Sequence, residues 1–326
     1  MFKKLYISIL FAVILLCPQG SQADDYPNQP LEIIVPFGKG GSTDRMTRIM
    51  TKLLKEELTQ PVGIKNIPGE GTLLGTSYFL NQIQDGYFLF SSTFSPYLTN
   101  TILSGKSSYT INDFEILNMQ WFDYDFIAVH KDSSFNTLAD LLNHLKKNSS
   151  TLTVALMYRS SGHLLFKLLL KELSIQKSHV KIKFYNGGKE ARAALINKKV
   201  DFIVISAQGS KYVREFMKPL AVSKSTRAKR WDAPTLNEAL SSQHVTLPII
   251  TGSMRGFGVS RKFKTDYPGR YKILTDIFKK ILAKKRAQNI LKNNGIGYIW
   301  LAPKKSNELL NNSFTLFKKY NYLLND

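Results

Sequence analysis

From Leu31 onward the chain alternates β-branched apolar runs with stretches whose apolar residues recur at helical spacing, in the order strand, loop, helix, strand. Parallel strands need a crossover between them, and crossovers within one sheet are right-handed. The alternation therefore restricts the chain to α/β architectures. Residues 31–37 form the first predicted strand, and Gly38-Lys39-Gly40-Gly41 follows as a loop. Ser42 or Thr43 is expected to cap the next helix, with Asp44 in its first turn. Met46, Ile49, Met50, Leu53, Leu54 and Leu58 give that helix its apolar face, and Pro61 stops it. A strand over 62–67, a helix over 72–83 and a strand over 87–93 complete the unit.

A second unit of the same kind begins near Asp125, with strands expected over 126–129, 151–157, 180–185, 200–206 and 219–222. Helices are expected over 137–147, from Ser160 through Leu173, and over 190–197. Residues 257–259 read as a returning strand, and 273–291 as one long helix with a basic face, ended by Gly295. No short-period repeat or low-complexity linker separates the units. They are expected to be lobes of one interlaced architecture.

The N-terminus sets the compartment. Lys3 and Lys4 precede an almost wholly apolar run to Cys17, and Ser21-Gln22-Ala23 has the small-x-small pattern of a signal-peptidase site. Residues 1–23 are read as a signal peptide cleaved after Ala23, since the apolar run is too short to span a bilayer comfortably. Cys17 is the one cysteine of the chain. Leu16 before it and Pro18 after it do not suit lipidation. The exported protein is then a periplasmic chain without a disulfide, stable by its core alone. No later segment is apolar enough for a transmembrane helix.

The net charge of +21 at pH 7 invites a nucleic-acid reading. The charges are dispersed, however, in small runs such as Lys146-Lys147, Lys198-Lys199 and Lys284-Lys285-Arg286 that resemble solvated faces of amphipathic helices. Zinc-finger spacing, ribonucleoprotein aromatics and a basic zipper are all missing from the sequence, so nucleic acid is not the expected partner. Such a field still attracts anionic ligands or an anionic membrane surface.

The junction at residues 38–44 carries the clearest chemistry. Its glycines let the backbone approach a ligand closely, and a helix start presents unpaired N–H groups and partial positive charge. Ser42 and Thr43 add hydroxyls. Lys39 is followed by Gly40-Gly41 rather than the Lys-Ser/Thr of a phosphate-binding loop, and Thr43 stands where a dinucleotide fingerprint needs glycine. On this local pattern an anion site and a plainly capped helix fit equally. Ser160-Ser161-Gly162-His163 is a second strand-to-helix junction, able to supply an anion-binding helix start from the other lobe. The histidines lack metal-ligand spacing, and Gly-x-Ser-x-Gly is absent from the sequence. No catalytic residue, metal or cofactor is expected.

An ordered set of short motifs then spans nearly the whole chain. Tyr26-Pro27-x-x-Pro30 precedes Ile34-Val35-Pro36-Phe37-x-x-Gly40-Gly41-Ser42-x-Asp44, Asn66-x-Pro68-Gly69-x-Gly71 and Asp85-Gly86-Tyr87. Tyr185-x-Gly187-Gly188, Val200-Asp201, Leu220-Ala221-Val222-Ser223 and Trp231-x-Ala233-Pro234-Thr235-Leu236-x-Glu238 follow. Together they resemble the substrate-binding proteins of tripartite tricarboxylate transporters, the Bug family. The resemblance implies a two-lobed type II periplasmic-binding-protein fold, each lobe a mostly parallel sheet flanked by helices. It places hinges near 121–125 and 252–257, so that 24–123 with 252–326 form one lobe and 124–251 the other. It implies a small organic-acid ligand, membrane permease subunits or a sensor as partner, and a monomer.

Carried over residue by residue, Gly40, Gly41, Ser42, Thr43 and Asp44 match the family's first ligand loop. Ser91, Ser92 and Thr93 match the end of its third strand, and Asn100 a nearby asparagine. Ser160, Ser161 and His163 match the second-lobe helix start. Two departures matter. Met157-Tyr158-Arg159 replaces a more glycine-rich stretch, and Arg159 is a cation placed where a second carboxylate could sit. Ser206, in Ile205-Ser206-Ala207, stands where the family often has Asp-Asn, which argues against a ligand amino group held by a carboxylate. Two other classes remain open: an exported enzyme on the same scaffold, and an exported basic protein that binds nucleic acid or anionic membrane with a degenerate cleft.

Overall fold

The computed structural model describes residues 25–147 and 151–325. The expected signal peptide and its cleavage site lie outside the described residues. In chain order the strands are β1 (Leu31–Val35), β2 (Val62–Asn66), β3 (Phe88–Ser95), β4 (Phe114–Phe122), β5 (Asp125–His130), β6 (Leu152–Leu156), β7 (Val180–Phe184), β8 (Phe202–Ser206), β9 (Met217–Val222) and β10 (Met254–Ser260). The helices are α1 (Ser42–Glu57), α2 (Leu73–Leu80), α3 (Tyr97–Leu103), α4 (Leu138–Lys147), α5 (Ser161–Glu172) and α6 (Gly188–Ile196). They continue as α7 (Leu236–Ala239), α8 (Arg261–Asp266), α9 (Pro268–Ala283), α10 (Lys285–Asn293) and α11 (Pro303–Tyr320).

Two five-stranded sheets result, in the orders β2-β1-β3-β10-β4 and β7-β6-β8-β5-β9. The crossovers predicted from the alternation make β1 parallel to β2 and β3, and β6 parallel to β7 and β8. The other half of each sheet is antiparallel, so the sheets are mixed where a mostly parallel pairing was expected. The cause is topological. β10 returns from the second lobe and inserts between β3 and β4, while β5 leaves the first lobe and inserts between β8 and β9. A strand arriving from the opposite lobe enters with the opposite sense.

Each sheet is buried on both faces. In the second lobe Ile127, Val129, Phe202 and Val204 pack with α4 and α5, while Phe126, Ala128, Ile203 and Ile205 pack with α6 and Trp231. That is the period-two alternation of a doubly covered sheet. In the first lobe α1, α9 and α10 cover one face, and α2, α3 and α11 the other.

Three elements missed by periodicity matter for the site. β4 has register shifts against β10 at two places, and each displaces the inward face by one residue. The predicted helix 273–291 is two helices, broken where Lys284 adopts φ −75° and ψ 123°. After α11 the helical turn Asn321–Leu324 packs on α5, with Leu323 and Leu324 buried in the second lobe's core. The stretch 252–326, expected wholly in the first lobe, thus sends its end across, because α11 leaves those two leucines over an apolar face that needs cover. Among the described residues no helix is long and apolar enough to cross a membrane.

Candidate functional site

The first predicted loop is built as a backbone cradle. Gly40 has φ +83°, the left-handed region that side chains disfavour, and this turns the chain from β1 into α1. The expected side-chain cap is not made. Gly41 is the N-cap, no side chain caps it, and Ser42 is already the first helical residue. The start of α1 therefore keeps the unpaired amides and partial positive charge that suit an anion.

Asp44 faces into the loop. Its Oδ2 accepts from the Gly40 amide and from Arg48 Nε, both at 2.8 Å, and its Oδ1 accepts from Asn66 Nδ2 at 2.9 Å and Arg48 Nη2 at 3.0 Å. Burial raises the carboxyl's pKa, but the bonds from Arg48, Gly40 and Asn66 outweigh it and hold the group below its ordinary value. With both oxygens engaged, Asp44 shapes the loop rather than presenting itself to a ligand. Thr43 and Ser91 are likewise internal. The Thr43 hydroxyl pairs with that of Thr93 at 2.8 Å, and Thr47 joins Ser91 at 2.7 Å, fixing α1 on β3. Ser92 points to the other face of β3, and its buried hydroxyl finds no partner among the described residues.

In the second lobe Ser160 caps α5 as predicted, accepting from the His163 amide at 3.1 Å. Ser161 is buried beside it. Gly162 is required by close packing, since a Cβ there would meet the Val204 carbonyl at 2.3 Å. The His163 ring is buried edge-on to Phe184, with centroids 4.9 Å apart, and Nδ1 accepts from the Arg159 amide at 3.2 Å. Burial first, then Lys167 and Arg159, push its pKa down to about 4, so the ring is neutral at ordinary pH. Neither Ser160 nor Ser161 forms a hydroxyl–imidazole pair with it, since its contact to Ser160 runs through the backbone.

Arg159 departs from expectation. Its guanidinium is engaged by the C-terminal turn, reaching Asn321 Oδ1 at 2.8 Å and Asn325 Oδ1 at 3.0 Å. The positive φ of +52° at this residue directs its side chain toward the C-terminal turn and its carbonyl toward the first lobe. That carbonyl accepts from Asn100 Nδ2 on α3. The contact places the ends of β6, β7 and β8 opposite the first lobe, because the three strands are parallel. Gly187, at the end of β7, begins α6 without a side-chain cap.

The floor between the lobes is charged and buried, and sequence reasoning missed it. Asp123 joins β4 to β5. Its Oδ1 accepts from the Tyr124 amide at 2.8 Å and the Gln208 amide at 3.1 Å, and its Oδ2 accepts from the Ser206 hydroxyl. Ser206 is thereby committed to the β4–β5 junction. Burial raises the Asp123 pKa against the pull of Arg255. Asp125 is raised to about 7 by burial, with Ser161 and Arg255 pulling down and Asp123 pushing up; its Oδ2 has no partner among the described residues. Arg255, at the start of β10, lies over the Trp121 ring at 4.6 Å, and its Nε and Nη1 find no acceptor among the described residues. Burial lowers its pKa while Asp123 and Tyr97 raise it. Tyr97, pushed up to about 12 by burial, reaches the Met157 sulfur of the second lobe at 4.0 Å. The available signal was a pair of acids at a strand junction and an arginine inside an otherwise uncharged strand. Buried polar groups are ordinarily paired, so Arg255, which lies opposite Thr93 on the α1 side of β3 and keeps two donors without an acceptor among the described residues, suits an anion. Among the described residues no group of three or more His, Cys, Asp or Glu is placed to hold a metal ion.

Comparison with known proteins agrees with this architecture. The model of the "tripartite tricarboxylate transporter family receptor" matches residues 46–309. A UPF0065 protein of Bordetella pertussis is 25% identical over 240 residues, covering 72% of this chain and 73% of that protein. A TctC solute-binding protein from Polaromonas superposes with a TM-score of 0.73 at 22% identity, over 92% of this chain and 99% of its own. The R. palustris protein Rpa4515, solved with adipate, superposes with a TM-score of 0.70 at 20% identity, over 92% of this chain and 99% of its own. With its two mixed α/β sheets and a family match over most of its length, the chain belongs to the tripartite tricarboxylate transporter receptor family of solute-binding proteins.

Proposed function

We propose that the protein is a periplasmic binding protein that captures a small organic acid between its lobes and passes it, chemically unchanged, to a membrane permease of the tripartite type or to a sensor. The observation that carries this reading is Arg255, a buried guanidinium with two N–H donors lacking acceptors, on the wall that both lobes share. A carboxylate there gains charge-assisted hydrogen bonds in a low-dielectric setting. The uncapped start of α1 at Gly41 and Ser42 supports the same anion, while Asn100, Ser161 and Asp125 offer further polar contacts. The adipate of the Rpa4515 structure is of the expected chemical class. Residues 24–123 with most of 252–326 would move against 124–251, hinging at Asp123 and near Gly252. The ligand drives closure by binding the closed arrangement better.

Native mass spectrometry followed by thermal shifts with mono-, di- and tricarboxylates tests this. An acid at a hundred times its Kd stabilises by about 2.7 kcal/mol. Arg255→Lys keeps the charge but loses the planar fork, and should abolish most of that shift. No shift across the panel, or turnover of the acid that binds, would remove the proposal.

A further inference from the structure

Beside this site lies a cavity of about 390 Å³ with walls from both lobes. The first lobe contributes Arg45, Trp121 and Lys292; the second contributes Lys211, Tyr212 and Arg230. Four of the lining side chains are cations and none is an acid. None of the four forms an ion pair among the described residues, and Lys211 Nζ instead rests over the Tyr212 ring at 4.4 Å from its centroid. Trp121 is a partition. Arg255 lies over its ring, and its indole N–H donates across the lobes to Gln208 Oε1 at 2.9 Å. None of the residues assigned above to the organic-acid site lines the cavity.

Like charges around a concave wall focus a positive potential inside it, and an anion that enters relieves their repulsion. Monocarboxylates and dicarboxylates leave half or more of this charge uncompensated. The planar forks of Arg45 and Arg230, approaching from opposite lobes, suit phosphate oxygens, which guanidinium groups bind bidentately. The volume lies at the small end of ligand pockets, roughly 300–1,000 Å³. We infer that the cavity is a second ligand site, for a compact phosphoanion of three or more charges, of the pyrophosphate kind. Because both lobes wall it, an anion bound there favours the closed arrangement and so raises affinity for the organic acid. This coupling rests on the proposed function; the site itself does not.

Titration calorimetry of the full chain with pyrophosphate reads the site directly. The expected result is one saturable site, weakened about tenfold or more in the paired variant Lys211→Gln with Arg230→Gln. A control pair of equal charge, Lys147→Gln with Lys318→Gln on remote exposed helix faces, should change affinity by less than about twofold. Each variant's thermal midpoint verifies folding. Saturating adipate should raise pyrophosphate affinity, and unchanged affinity would overturn the coupling while leaving the site. Lack of saturable binding, equal loss in the control pair, or competition by adipate would overturn the inference, and so would citrate binding as tightly as pyrophosphate. Failure here leaves the organic-acid thermal shifts and their dependence on Arg255 untouched, so the two readings fail separately.

Discussion

Asn100 of the first lobe donates its side-chain amide to the main-chain carbonyl of Arg159 in the second. The bond joins the two lobes, so on the proposed closure it favours the arrangement in which they face each other rather than either lobe's own stability. Asn100→Ala should shift the lobes toward opening and raise Kd for the captured acid about three- to tenfold, the weight of one hydrogen bond near 1 kcal/mol. Small-angle scattering should show an expanded unliganded form. Unchanged affinity and unchanged dimensions would mean that the bond does not govern closure.

Asp44 makes a different kind of contribution, since its four accepted bonds lie within one lobe. Asp44→Ala should destabilise the fold by about 2–3 kcal/mol, discounted for the exposure of Arg48. The folded-state pKa is depressed, so this stability is present above the ordinary carboxylate value and is lost as pH falls through the folded one. The gap between wild type and variant in urea denaturation should therefore be full at pH 7 and shrink near pH 3.

Asp125 has the opposite sign. Its folded pKa is about 7, above the unfolded value of 3.8, so the folded state loses stability as pH rises between them. Asp125→Asn should be close to neutral near pH 4 and stabilising by about 1–3 kcal/mol near pH 8, as a buried carboxylate is relieved. A thermal-midpoint difference that does not grow with pH would contradict the assignment.

His163 governs the acid side of the same cleft. Its folded pKa of about 4 lies below the ordinary 6.5, so protonation favours the unfolded chain and stability declines as pH falls from 6.5 toward 4. His163→Gln should flatten that decline, by about 1–3 kcal/mol at pH 4 relative to neutral pH. Parallel stability curves for the two proteins over this window would rule it out.

The parts of the site legible in the sequence were those written locally. Glycine followed by a helical period marked the loop before α1, and serine before an apolar helix marked the cap at Ser160. What escaped has physical causes. β4 does not alternate, because its register shifts against β10 put Ile116 and Met119 on one face and Leu117 and Trp121 on the other. Arg159 looked free because Asn321 and Asn325, which hold its guanidinium, are remote in sequence. Asp123, Asp125 and Arg255 come from the two crossings between lobes, and nothing in any one segment announces that they meet.

The docking of Leu323 and Leu324 on the second lobe has a consequence in time. Phe317, Leu323 and Leu324 complete a cluster otherwise built from residues 127–250. A chain made from its N-terminus cannot finish the second lobe until residues 317–324 have emerged. Likewise the first sheet waits for β10 to fill the gap between β3 and β4. Neither lobe's core is therefore completed by its own contiguous stretch of chain, and each must wait for a later segment to be made.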